Sequence, residues 1–284
     1  MLPSSTDLNY FLEIAQAGNL THAANRLGVS QPSLTLAMQR LETSVGTGLF
    51  IRSRQGVKLT KAGQRLLLDT RQLMGQWENL REQALETMNE IKGRFVVGCH
   101  PSVARYSLPL FLPQLLKTHP QLELTLEHDL SRNITRKVLE LEVDLGIVVN
   151  PVPHPDLIMK PLAKDIVTLW KSKALLNCDL IIFEPSLQQT QKIRQKLVRA
   201  GFKFARMMES SNLEVIAGLT TCGAGIGILP ARVAQAENPD LVRLKNAPVF
   251  NDEIFLIYRV ENRAVRAIHA LSQSIQDGFA ESRR

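Results

Sequence analysis

Amide and hydroxyl side chains crowd into one short stretch, Ser30-Gln31-Pro32-Ser33-Leu34-Thr35, with Gln39 one helical turn further on. Such groups match the donors and acceptors that base pairs display in the major groove of DNA. Downstream, Arg52, Arg54 and Lys58 surround Gly56. Cations placed this way contact phosphates, and each phosphate neutralised adds about 0.9 to the salt slope of binding. Residues 1–65 carry seven basic side chains (Arg26, Arg40, Arg52, Arg54, Lys58, Lys61, Arg65) against three acidic ones (Asp7, Glu13, Glu42), a local charge of +4. The expected chemistry is therefore DNA recognition. Ser30, Gln31, Pro32, Ser33, Thr35 and Gln39 stand at the bases, and Arg52 and Arg54 on the backbone.

No competing chemistry is assembled elsewhere. His100, His119, His128 and His154 fall in separate segments without metal-ligand spacing, and Glu127-His128-Asp129 has no nucleophile beside it. Neither a catalytic residue nor a metal site is expected. Cys99, Cys178 and Cys222 lack a C-x-x-C pair, and apolar neighbours predict buried, inert thiols at Cys99 and Cys222. The run Thr221-Cys222-Gly223-Ala224-Gly225-Ile226-Gly227 departs from dinucleotide-loop spacing and leads into a strand. It reads as a tight turn, and no cofactor is expected.

The reading residues need helices to hold them. Ser4 and Asp7 have capping-box spacing ahead of Leu8, Phe11, Leu12 and Ala15, and Gly18 stops that helix. Asn19 caps a short second helix ending at Gly28. Ser30 caps a third over 31–44, opened by Pro32, with Leu34, Met38, Leu41 and Val45 on one buried face. Two helices joined by a tight turn, the second polar at its start, form a helix-turn-helix. Residues 49–60 alternate around Gly56 and predict a β-hairpin wing. A three-helix unit serving only protein contacts is the competing reading.

Together, Phe11, Ala23-Ala24, Leu27, Val29-Ser30-Gln31-Pro32-Ser33-Leu34-Thr35, Leu41-Glu42, Gly46, Leu49-Phe50-Ile51-Arg52 and Leu59-Thr60-Lys61-Ala62-Gly63 resemble the N-terminal signature of LysR-type transcriptional regulators. The resemblance extends over essentially the whole chain. Two positions depart from it: Leu36 stands where the family often has a basic residue, and Asn19 where it often has serine.

From Thr60 to Ile91 there is no proline, and Leu66, Thr70, Leu73, Trp77, Leu80, Ala84, Thr87 and Ile91 alternate by four and three. That is a coiled-coil seam on a helix about 48 Å long. Leu66, Leu73, Trp77, Leu80, Ala84 and Ile91 are expected to pair two copies, as a dimer or tetramer; packing on the chain's own C-terminal part is the alternative.

Beyond Lys92-Gly93 apolar strands alternate with amphipathic helices. Strands are predicted at 95–99, 122–126, 145–149, 179–183, 204–208, 226–229 and 253–258, in parallel sheets, with a helix over 102–117 and another capped by Ser131. Sheets of this kind bind ligands at strand ends, where helix N-termini favour anions. Matched to strand ends, Ser102, Ser131, Asn150, Ser211 and Asn212 are the expected effector contacts.

The resemblance implies an α-helical winged helix-turn-helix domain at 1–60 and a linker helix for dimerisation at 61–92. It further implies an α/β effector-binding domain at 93–284 with a type 2 periplasmic-binding-like fold. Its first subdomain covers about 94–163 and 258–284, its second about 164–257. The implied partners are double-stranded DNA, a small-molecule effector (a carboxylate or other oxyanion), a second copy of the chain and RNA polymerase. A solute-binding protein or enzyme that keeps only the fold is the alternative. The opening Met1 to Asp7 lacks the features of a signal peptide and no run of about 20 apolar residues occurs, so a cytoplasmic protein without membrane contact is expected. Formal charge +7 over 284 residues agrees with an anionic partner.

Overall fold

The computed structural model describes residues 3–53, 56–84, 91–176, 178–237 and 240–282, which divide into two compact units at Asn89/Glu90. The first unit opens with α1 (Ser5–Ala17), α2 (Leu20–Leu27) and α3 (Gln31–Val45). Each starts on the cap read from sequence: Ser4 Oγ accepts from Asp7 N–H, Asn19 Oδ1 from Thr21 and His22 N–H, and Ser30 Oγ from Ser33 N–H. Gly18 and Gly28 close the first two in the left-handed conformation (φ 60° and 66°). Asp7 bonds outward to Arg40 at 2.7 Å, joining α1 to α3. Phe11, Ile14, Leu34, Met38 and Leu41 fill the core between them. Val45, expected on that buried face, is exposed at the last position of α3 before Gly46 caps it.

β1 (Phe50–Ser53) and β2 (Gly56–Leu59) pair antiparallel as the wing. α4 follows over Lys61–Ala84. Two expectations for this helix change. Leu66 packs with Leu67 against the core of the first unit, so the free stripe starts at Leu73. Ile91 is not helical and packs against the core of the second unit. Thr87 lies outside the described residues, and Ala84 is placed only as the last residue of α4.

The second unit is built from β3 (Gly93–Cys99), α5 (Pro101–Thr118), β4 (Leu122–His128), α6 (Ser131–Leu139) and β5 (Leu145–Val149), then β6 (Leu157–Ser172). It continues with β7 (Leu180–Phe183), α7 (Gln188–Arg199), β8 (Arg206–Glu209), α8 (Leu213–Thr221) and β9 (Ile226–Pro230). α9 (Ala231–Glu237), β10 (Leu241–Arg243), β11 (Phe250–Arg259) and α10 (Arg266–Glu281) complete it.

Among the described residues the strands run β4-β3-β5-β11-β6-β9-β7-β8, with β10 beside β6. The flanks are parallel, as expected of strands linked by helices. The centre is not: β11 runs antiparallel to both β5 and β6, and β6 antiparallel to β9. The expectation of parallel sheets fails at the centre, where β6, sixteen residues long and not legible as a strand, pairs antiparallel with β9 and β11, and β11 returns antiparallel to β5. Together β6 and β11 form the crossing ribbon between two lobes. In the first lobe Leu271, Ile275 and Phe279 of α10 join Val103, Phe111 and Leu115 of α5 in one core. In the second, Ile216, Ala217 and Leu229 gather with Trp170 and Ile182. No helix among the described residues is long and apolar enough to cross a membrane.

Candidate functional site

The polar end of α3 is presented outward. Gln31, Pro32, Ser33 and Gln39 are exposed and Thr35 is half-buried, while Leu34, Ala37 and Met38 on the opposite face are sealed. The Ser30 and Ser33 hydroxyls lie 2.8 Å apart, and Thr21 Oγ1 donates to Gln31 Oε1 at 3.3 Å, which steadies the first turn against α2. Leu36 is 55% exposed on this helix. On the wing, Lys58 is exposed and pairs with Ile51, and the backbone of Arg52 stands opposite Val57. Arg54 lies outside the described residues. Glu42 Oε1 accepts the N–H groups of Leu49 (2.7 Å) and Phe50 (3.3 Å), fastening the far end of α3 to the start of the wing. A polar helix start beside a cationic hairpin is a surface for a DNA groove and its flanking phosphates.

The second unit encloses a cavity of about 440 Å³, within the usual size for a small-molecule site. It lies at the strand ends, where the first turns of α5, α6, α7 and α8 contribute Ser102, Ser131, Gln188 and Leu213. Helix starts of this kind supply unpaired N–H groups and a partial positive charge. Arg132 and Arg136 line the same space, and Arg132 reaches the Ser186 carbonyl at 3.0 Å from the opposite lobe.

Three of the five expected contacts, Ser102, Ser131 and Asn150, line the cavity. Ser102 is buried and its hydroxyl has no hydrogen-bond partner. Ser131 does not cap α6. It is the first residue of that helix, and its Oγ accepts Val149 N–H at 3.0 Å, leaving its own proton free to donate. Asn150, held at φ 49°, donates to Asp252 Oδ1 at 2.7 Å and accepts Glu253 N–H at 2.9 Å. It positions its neighbours. Ser211 and Asn212 are not lining residues: Asn212 caps α8 through Val215 N–H, and the next residue, Leu213, takes the place at the wall.

The sequence reading missed the acids. Asp165 and Asp252 both line the cavity, and they stand directly opposite each other in the β6–β11 ladder. Burial raises both carboxyls above the ordinary range, Asp252 to about 7, with the charge of Asp165 adding to the effect. His100, which caps α5, is pushed down by burial, and the Tyr106 hydroxyl is pushed up. Asp252 lies one residue before the strand expected at 253–258, which in the structure extends over Phe250–Arg259. The thiols divide. Cys99 is buried and raised to about 12 by desolvation, whereas Cys222, expected to be buried, is exposed where α8 ends.

Both halves of this architecture correspond to one family. Residues 5–64 match the family model for the bacterial regulatory helix-turn-helix protein, lysR family, and residues 89–280 match the LysR substrate binding domain. The chain belongs to the LysR family of transcriptional regulators. As a LysR-type regulator it joins a DNA-binding helix-turn-helix to an effector-binding domain, and its activity is controlled through that domain. An uncharacterized HTH-type transcriptional regulator, YusT of Bacillus subtilis (strain 168), is 29% identical over 237 residues, covering 81% of this chain and 80% of YusT. Full-length LysG from Corynebacterium glutamicum, solved with bound effector Arg, has a TM-score of 0.69 at 17% identity, covering 99% of both chains. Full-length CbnR in complex with its target DNA has a TM-score of 0.60 at 24% identity, covering 98% of this chain and 99% of CbnR. At these identities the two structures speak for the LysR-type fold.

Proposed function

We propose that this LysR-type regulator reads an operator with Gln31, Ser33, Thr35 and Gln39 of α3, steadied by Ser30 and Pro32, while Arg52, Arg54 and Lys58 of the wing hold phosphates. A small effector bearing a carboxylate or other oxyanion occupies the cavity of the second unit, with Ser102, Ser131 and the α5 to α8 helix starts as its donors. The observation that carries this reading is the convergence of those helix starts, two arginines and the unpartnered Ser102 hydroxyl on one cavity. Effector binding favours one arrangement of the two lobes, and that preference changes how the regulator sits on DNA.

Two copies pair through α4. Leu73, Trp77 and Leu80 are each more than half exposed in the single chain, and one face of a helix pair would cover all three. Two readers then meet two half-sites, as a dimer or as a tetramer of two such pairs, with RNA polymerase as a further contact on DNA. The protein works in the cytoplasm, without catalysis and without a cofactor. Fluorescence anisotropy with the DNA upstream of its own coding sequence tests the reading. Binding there should exceed binding to random DNA of equal length by at least 10³ at physiological salt. Equal affinity for both overturns it.

A further inference from the structure

Asp165 and Asp252 are cross-strand neighbours in the β6–β11 ribbon, and both face the cavity. Side chains directly opposite in an antiparallel pair lie about 4.5–5.5 Å apart at Cβ, and like charges there repel. The two carboxyls are nearly sealed, at 7% and 2% exposure. Their hydrogen-bond partners are neutral: the Asn150 amide for Asp252, and the backbone N–H groups of Ile166 and Arg232 for Asp165. The amides at the start of α9 favour the ionised form of Asp165, which leaves Asp252 as the member that takes up a proton. From α5, Tyr106 faces the pair. From α9, the Arg232 guanidinium lies 5.4 Å from the Tyr106 ring centroid, and its charge favours the ionised form of Asp165. Independently, the Ser102 hydroxyl, 3% exposed and without a partner, lines the same cavity from the first turn of α5. The cavity lining thus offers carboxylates as well as the donors and positive potential of the helix starts.

We infer that the effector carries a protonated nitrogen, as in an amine or a guanidine, which meets Asp165 and Asp252 while its anionic end meets Ser102 and the helix starts. This rests on reading the cavity as the effector site, and it narrows the ligand class from any oxyanion to a zwitterion or its close relatives. The cation replaces the proton that Asp252 holds in the empty cavity. Binding therefore strengthens as pH rises and that proton is lost. His100, also at the cavity, is pushed below the ordinary imidazole range by burial.

Thermal unfolding of the full chain tests the inference with three matched probe series at 10 mM: ω-amino acids from 3-aminopropionate to 6-aminohexanoate, diacids from malonate to adipate, and the corresponding diamines. At least one ω-amino acid should raise Tm by 2 °C or more, with a larger shift at pH 8 than at pH 6.5. The shift should vanish in Asp252→Asn, and the wild-type pH trend supplies a readout that needs no variant. A diacid that stabilises when no ω-amino acid does overturns the cation while leaving an effector site. A stabilising ω-amino acid whose effect is independent of pH and survives Asp252→Asn also overturns it. No response to any series overturns the inference and the effector reading together.

Discussion

Glu42 accepts the backbone N–H of Leu49 at 2.7 Å, and this one carboxylate joins the recognition helix to the wing. The bond is charge-assisted and half-buried, so its loss strands two backbone donors, those of Leu49 and Phe50. Glu42→Ala should destabilise the first unit by about 1–3 kcal/mol. Hydrogen exchange at the Leu49 and Phe50 amides checks this, and Glu42→Gln, which keeps an acceptor, should retain most of the protection. Unchanged exchange in Glu42→Ala would remove the proposed link.

Base reading and phosphate holding separate by mutation. Gln31→Ala should cost about 1–3 kcal/mol at the operator and little on random DNA. The exposed Thr21–Gln31 bond is too weak for its loss to disturb the fold. Lys58→Ala should weaken both DNAs alike and lower the salt slope by about 0.9. Anisotropy titrations from 50 to about 200 mM salt measure both quantities. The same loss from both variants on both DNAs would cancel the assignment.

Leu73, Trp77 and Leu80 form an exposed apolar stripe on α4. A Leu73→Asp change places a charge on the pairing seam and should convert the protein to monomers in sedimentation velocity at micromolar concentration. Leu66→Asp should act differently, destabilising the first unit, because Leu66 packs against that unit's own core. An unchanged oligomer in Leu73→Asp defeats the pairing.

Asp252 confers a pH dependence on stability. Its folded pKa of about 7 stands above the unfolded carboxylate value, so between roughly pH 4 and 7 the native state binds the extra proton. Stability therefore declines as pH rises through that window and levels off above it. The facing groups are Asp165 across the ribbon, Asn150 after β5, Tyr106 on α5 and Arg232 on α9. Asp252→Asn removes the titration, and its stability relative to wild type should grow from pH 5 to pH 8, by no more than about 3 kcal/mol. Urea unfolding at those two pH values measures the difference, and a constant difference would contradict it.

Much of the first unit was legible because its determinants are local. Ser4, Asn19 and Ser30 satisfy N–H groups two or three residues away, and Gly18 and Gly28 take a conformation that glycine adopts without a Cβ clash. Interactions confined to one helical turn leave their mark in residue spacing. The helix-turn-helix, the wing and the α/β alternation were all readable on that basis.

Tertiary structure alone decided what happens across the β6–β11 ribbon. Lys160, Lys164, Asp165 and Lys171 interrupt the apolar pattern of β6, which hides a strand whose Asp165 lines the cavity. β11 is expected from Glu253 onward, so Asp252 falls one residue outside the strand read from sequence. Asp165 and Asp252 meet because antiparallel register places them opposite, and register is a property of two strands that neither carries alone. Tertiary packing likewise put Leu213 rather than Ser211 or Asn212 at the cavity wall and set Leu66 against the first unit's core. The helix-turn-helix of this regulator was thus written in the spacing of its residues, while the acid-lined cavity of its second unit arose only when distant strands came together.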